Sequence, residues 1–215
     1  MTPQSFDGRC SRCPRLAAFL AEVKVSHPGY HCAPVAPFGD DKARLLIVGL
    51  APGKHGANAT GRPFTGDFAG ILLYETLYRY GFSNQPDAQA LDDGLRLYGC
   101  RITNAVKCLP PANKPTGEEV RTCNAFLKAE IEEVTARGRS VIVALGAIAH
   151  NAVLTALGQT RAHHRFGHGH EHLFGEDVTL IDSYHCSRYN TQTRRLTPAM
   201  FQAVFSRAKV LLEAV

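Results

Sequence analysis

The chain has 215 residues, 45% hydrophobic and 20% charged, proportions of a globular protein able to bury a full core without staples. A formal net charge of +5 favours polyanionic partners but does not require one. No apolar run is long enough to cross a bilayer, and a cysteine pair stands where a secretory signal would need its apolar segment. The expectation is one cytoplasmic, monomeric domain over residues 1–215.

From the N-terminus, Cys10 and Cys13 form a C-x-x-C knuckle, and Pro14 to Val25 follows with helical periodicity in Leu16, Phe19, Leu20 and Val23. The Pro- and Gly-bearing stretch His27 to Asp40 ends that helix. Leu45 to Leu50 is the first of four short apolar runs; Tyr98 to Val106, Val141 to Leu145 and Val178 to Ile181 are the others. Each reads as a strand buried on both faces. Helices are expected over Phe68 to Tyr80, over Gly117 to Arg137 behind the capping box Thr116-x-x-Glu119, and over Ala147 to Leu157. A last helix runs from Pro198 to Ala214 behind a Thr197 cap. Strands alternating with helices predict an α/β protein with a mainly parallel sheet covered on both faces. Ligands then bind beyond the carboxyl ends of the strands.

Three distinctive segments fall at that edge. The first runs from Gly49 through Leu50, Ala51, Gly53, Lys54, His55, Arg62 and Phe64 to Asp67. It is neither a phosphate loop, since Gly49 and Gly53 are too close and His55 follows Lys54, nor a dinucleotide fingerprint. A flat apolar face beside a carboxylate suits a planar polar ligand such as a nucleobase. The second is Ile102 to Pro115, carrying Asn104, Cys108 and Asn113. An asparagine amide matches the Watson–Crick edge of a base, although Asn113 is equally at home in a turn. The third, Ser183 to Thr197, is rich in donors: His185, Ser187, Arg188, Asn190, Arg194 and Arg195. A neutral histidine can donate to a developing negative charge, and arginines can clamp phosphates.

Seven cysteines without an export signal argue for metal binding rather than disulfides. Cys10, Cys13, Cys108 and Cys123 make a plausible set; two unrelated buried thiols plus a zinc-binding turn is the alternative that spacing leaves open. Cys100 reads as a small buried hydrophobe. His163, His164, His168, His170 and His172 lack ligands at fixed metal spacing and are read as loop histidines contacting phosphate.

The first loop, the Cys-flanked Pro110-Pro111 loop and the segment His185-x-Ser-x-x-Asn190-x-x-Thr193-x-Arg195-Leu196 resemble the uracil-DNA glycosylase superfamily, most of all its iron-sulfur type B branch, family 5. The resemblance runs from the Cys10 knuckle to the final helix. It implies a three-layer α/β/α sandwich, a 4Fe-4S cluster on Cys10, Cys13, Cys108 and Cys123, and DNA containing deaminated bases as substrate. By the same resemblance Phe64 stacks on the extruded base beside Gly49, Leu50 and Ala51, Asp67, Asn113 and His185 are catalytic, and the Ser187 to Arg195 stretch wedges into DNA. His55 and Arg62 are expected at the phosphates. Asn104 matches the base-reading asparagine of the type A branch. Ala51 stands where other branches place a water-activating residue, which shifts that burden to Asp67, and Arg194 replaces an expected glycine. A nonenzymatic damage-sensing protein of the same fold is the alternative that Ala51 keeps open, and a hydrolase of free nucleosides is a further one.

Overall fold

The computed structural model describes residues 5–213. Its elements are α1 (Pro14–Ser26), β1 (Phe38–Gly39), β2 (Leu45–Gly49), α2 (Ala57–Thr60), α3 (Phe68–Arg79), β3 (Cys100–Asn104), α4 (Gly117–Thr135), β4 (Ser140–Leu145), α5 (Ala147–Ala156), β5 (Glu171–Phe174), β6 (Val178–Ser183), α6 (Arg188–Gln192) and α7 (Pro198–Glu213). One six-stranded sheet has the order β1-β3-β2-β4-β6-β5. The four central strands are parallel, and the two edge strands are antiparallel.

The apolar runs alternate between two cores. Leu45, Ile47, Val141 and Val143 pack under Leu73 and Leu77 of α3 and Phe201 and Phe205 of α7. Leu46, Val48, Ile142 and Ala144 face the other way, against Leu127 and Ile131 of α4 and Val153 of α5. With period-two side chains, a strand covered on both faces must be apolar at every position, and these helix layers make the three-layer sandwich. Thr116 and Glu119 close the capping box of α4. The expected end of the last helix at Ala214 lies outside the described residues.

The short edge strands β1 and β5 were not expected. β5 alternates exposed and half-buried residues, as an antiparallel edge with one solvated face does. Because β2 connects to β3 on one side while β4 lies on the other, the strand order reverses at β2. The crevice beyond the carboxyl ends therefore opens there.

Buried ionic groups hold the loops around this frame, and two of them bear on sequence expectations. Arg62 is 1% exposed, so the expected phosphate contact is corrected: the guanidinium has no surface to offer. Its Nη1 donates to Asp93 Oδ1 (2.9 Å), its Nη2 to Asp93 Oδ2, and its Nε to Thr65 Oγ1 (2.8 Å). This guanidinium, outweighing burial, holds the Asp93 carboxyl well below the usual range.

The second pair corrects the reading of the histidine loop. His150 Nδ1 faces Asp182 Oδ1 at 2.6 Å, and its Nε2 faces the His164 carbonyl at 2.9 Å. Both partners are acceptors, so both ring nitrogens carry protons. Burial pushes the His150 pKa down, but the Asp182 hydrogen bond and charge outweigh it and the net direction is up. His172 Nε2 (3.1 Å) and the Gly167 N–H (3.2 Å) complete the shell of Asp182 Oδ2. Several of the loop's histidines are thus internal ties: the ring of His168 also accepts from the Tyr184 N–H at 3.1 Å.

Arg62→Ala should lower unfolding free energy by roughly 3–5 kcal/mol, the usual cost of stripping one member of a buried pair, while the salt dependence of DNA binding stays unchanged. A lowered salt slope with parental stability would restore a phosphate role. For His150, a pKa raised in the folded state means stabilisation that is full below the unfolded value near 6.5 and lost as pH rises through the folded one. The stability gap between the parent and His150→Gln should therefore narrow as pH rises above the unfolded value near 6.5 in denaturant titrations; a gap that widens would contradict a protonated ring.

Candidate active site

A cavity of about 500 Å³ opens at the carboxyl edge of the sheet. Its walls include Leu50, Ala51, Phe64, Asp67, Asn104, Asn113, His185, Ser187 and Arg188. Residues expected from three separate segments thus meet around one space. The position after β4, which sequence reasoning missed, contributes Leu145, Gly146, Ala147 and Ile148. Its only sequence signal is a Leu-Gly-Ala junction between strand and helix.

Missing side chains shape the cavity. A Cβ on Gly49 would lie 2.4 Å from Asn104 Oδ1 and 2.7 Å from Phe64 Cζ, and one on Gly56 would lie 2.5 Å from Asp67 Oδ2. Gly49 therefore lies behind Phe64 and Asn104 and does not line the cavity itself. Phe64 holds φ +54, a left-handed conformation rare for an aromatic residue. Its ring lies near-parallel to that of His185, with centroids 6.0 Å apart.

Asp67 is the N-cap of α3, with Oδ1 accepting from the Gly70 N–H at 2.9 Å. Burial raises its pKa above the ordinary carboxylate value, partly offset by the Gly70 and Ala69 amides. His185 follows β6, and its carbonyl accepts from Asn190 Nδ2 at 2.8 Å. Although solvent reaches part of the ring through the cavity, burial pushes its pKa down to about 4, so the imidazole is neutral at pH 7. Asn104 Oδ1 is buried at the cavity without a hydrogen-bond partner among the described residues. A buried orphan acceptor of this kind calls for a donor from outside the protein. Asn113 lies exposed on the rim with φ +55.

The third segment forms α6, capped by Ser187, whose Oγ accepts from the Asn190 N–H. Asn190 thus braces His185. Arg188 lies over the Phe68 ring (5.0 Å) and Arg195 over the Tyr184 ring (4.7 Å), both exposed. Arg194 is exposed at φ +57, the conformation that explains why a glycine was expected there. His55 lies apart, exposed and hydrogen-bonded to the Tyr30 hydroxyl at 2.8 Å.

Cys10, Cys13, Cys108 and Cys123 border one small void, lined also by Leu16, Val106, Lys107 and Phe126. Burial, then the neighbouring thiols, pushes the Cys13 pKa up to about 11 and that of Cys108 to about 12. Two N–H groups already face the sulfurs: Arg12 Nε at 3.4 Å from Cys10 Sγ and the Lys107 amide at 3.3 Å from Cys123 Sγ.

Residues 36–209 match the model of the uracil DNA glycosylase superfamily. The chain is 47% identical over 210 residues to a type-5 uracil-DNA glycosylase of Thermus thermophilus, covering 94% of this chain and 93% of that protein. It is 44% identical over 203 residues to a type-5 uracil-DNA glycosylase of Pyrobaculum aerophilum, covering 93% and 87%. To a type-4 uracil-DNA glycosylase of Thermotoga maritima it is 41% identical over 112 residues, covering 52% and 49%. A parallel sheet with its cavity at the switch point and likeness along nearly the whole length lead to one conclusion: the chain belongs to the uracil-DNA glycosylase superfamily, among the type-5 enzymes.

Proposed function

We propose that this protein hydrolyses the N-glycosidic bond of uracil in DNA, and of hypoxanthine or xanthine, leaving an abasic site for base excision repair. The observation that carries this reading is the convergence of Phe64, Asn104, Asp67 and His185 on one cavity. Phe64 offers an apolar face to a flipped base. Asn104 Oδ1, unpartnered among the described residues, accepts from uracil N3–H, while its amide nitrogen donates to O4. Bidentate reading of this kind distinguishes a lactam edge from the amino edge of cytosine.

In the reaction, the C1′–N1 bond breaks with its electron pair leaving on uracil, and the sugar becomes oxocarbenium-like. His185, neutral at pH 7, can donate a ring N–H toward the uracil anion, and the N-terminal end of α5, bordering the cavity at Ala147, adds a positive dipole end. Asp67 uses Oδ1 to hold the helix, leaving Oδ2 to offset the sugar cation and orient water. Water adds to C1′, and its proton passes to the Asp67 carboxylate, whose raised pKa suits a base. No lysine is among the described residues that line the cavity, which supports a monofunctional enzyme without a Schiff base. Arg188, Arg194 and Arg195 and the exposed His55 face the DNA backbone.

Cys10, Cys13, Cys108 and Cys123 would hold a 4Fe-4S cluster: four thiols bordering one void are an all-sulfur donor set of the kind iron-sulfur and zinc both take, and the family reading favours the former. When bound, the cluster cross-links the N-terminal knuckle to the loop after β3, a structural contribution. Among the described residues no helix is long and apolar enough to cross a membrane. A monomer acting on chromosomal DNA in the cytoplasm completes the reading.

Single-turnover incubation with a duplex bearing one U·G pair should give strand breaks only after alkali; breaks without alkali would indicate a lyase, and an uncut duplex would overturn the glycosylase reading. Asp67→Ala and His185→Ala should each lower that rate by about 100-fold or more with little change in DNA affinity, the signature of a transition-state role. Loss confined to affinity would reassign either residue to substrate positioning. Anaerobically purified protein should be brown with iron and sulfide bound, and Cys123→Ser should lose the colour. Colourless protein with one zinc per chain would refute the cluster.

A further inference from the structure

Lys107 is 1% exposed, although it stands one residue before Cys108. An ammonium buried this completely is tolerated only when all its N–H groups are paired. Here Nζ donates to Thr103 Oγ1, to the Asn104 carbonyl at 2.9 Å and to Glu130 Oε2 at 2.8 Å. Two of the three acceptors belong to the last two residues of β3. The second of these is the residue whose side chain enters the cavity with an unpartnered oxygen.

The main chain of Lys107 is tied just as closely to the cysteine site. Its N–H donates to Cys123 Sγ at 3.3 Å, and its carbonyl accepts from the Val35 N–H at 2.7 Å. One residue therefore grips the cysteine site with its backbone and the Asn104 peptide with its side chain. A well-packed apolar side chain in this place would often be as stable as the ion pair, or more so. What the ammonium adds is direction: held by Thr103 Oγ1 and Glu130 Oε2, it aims its remaining N–H at the Asn104 carbonyl, which constrains the plane of that peptide and with it the direction in which the side chain leaves the backbone.

We propose that Lys107 is a positioning residue for base recognition, orienting Asn104 at the cavity and anchoring that orientation to the cysteine-bearing loop. The inference rests on the reading of the cavity as a base pocket. It adds that the loop holding the cysteines and the base-reading amide form one mechanical unit rather than two neighbouring ones. Asn104 touches the base; Lys107 acts through Asn104 and touches nothing that reacts.

The test is a double-mutant cycle on full-length, iron-loaded protein. Lys107→Met is made together with Glu130→Gln so that no carboxylate is left buried alone, and Thr103→Val, which keeps the ion pair and removes one acceptor, serves as a second variant if the first fails to fold. Single-turnover excision of uracil from a U·G duplex should fall about tenfold in the Lys107→Met/Glu130→Gln protein, and the same change in an Asn104→Ala background should cost almost nothing further. Iron content should remain parental, and for Thr103→Val the loss should be smaller but equally absent in the Asn104→Ala background. Equal losses in both backgrounds would overturn the inference, since a merely structural residue acts whether or not Asn104 is present. Iron lost in proportion to rate would overturn it also, and so would an Asn104→Ala variant with parental rate. Parent protein that leaves uracil in place would instead refute the glycosylase reading on which the inference rests.

Discussion

The cavity depends on β2 ending in a residue without a side chain. At Gly49 a Cβ would lie 2.4 Å from Asn104 Oδ1 and 2.7 Å from the Phe64 ring, well inside any real carbon contact. Only glycine lets the aromatic ring and the amide rest together against the strand end. Two other glycines extend the same constraint: at Gly70 a Cβ would lie 1.9 Å from the Phe64 carbonyl, and at Gly56 it would meet Asp67. The loop from Gly49 to Asp67 has neither the phosphate-loop nor the dinucleotide glycine pattern. Its glycines act chiefly through close approach, allowing the loop to fold down until ring, carboxylate and amide share one wall.

That approach carries a strained backbone, because Phe64 adopts φ +54 at a cost of about 1–2 kcal/mol for a residue with a Cβ. Such strain persists only where the surroundings over-determine it. Here the flanks are held from several sides. The Tyr74 hydroxyl donates to the Pro63 carbonyl at 2.8 Å, and Thr65 Oγ1 donates to the same carbonyl while accepting from Arg62. Arg62 is in turn locked to Asp93, which also accepts from the Gln89, Ala90 and Leu95 amides. The aromatic platform is thus fixed by a polar network behind it.

The central sheet is legible because its physics is local. A strand covered on both faces must be apolar throughout, so Leu45 to Val48 and Val141 to Leu145 declare themselves by composition. The edges do not: β1 is two residues long and β5 reads Glu-His-Leu-Phe, too short and too mixed to stand out. At the site, residues with chemical character at strand ends could be picked out singly, and Phe64, Asp67, Asn104, Asn113 and His185 all reach one cavity. Leu145 to Ile148 have no such character and become wall only through the fold. Arg62 shows the opposite failure. In sequence, an arginine in a loop of a basic protein resembles a phosphate contact, and its partner Asp93 lies 31 residues away, where no local pattern points to it.

Arg62–Asp93, Lys107–Glu130 and His150–Asp182 have a common logic. Each carries buried charge, a poor source of net stability because desolvation offsets much of the attraction, and each helps to hold chain around the cavity in place: Arg62–Asp93 joins two loops, Lys107–Glu130 joins the chain after β3 to α4, and His150–Asp182 joins α5 to β6. Arg62 fixes the stretch that presents Phe64, and Lys107 fixes the end of β3 that presents Asn104. Asp182 holds the histidine loop, whose His168 ring accepts from the Tyr184 amide next to His185. Apolar contacts alone would allow these segments to slide, because burial has no direction. Charged hydrogen bonds have direction, and a site that must place a ring, an amide and an imidazole around one planar base loses rate steeply with misplacement of about 1 Å. The ion pairs are therefore best understood as devices of placement: two hold the segments that present Phe64 and Asn104, and the third holds the loop that braces the chain beside His185.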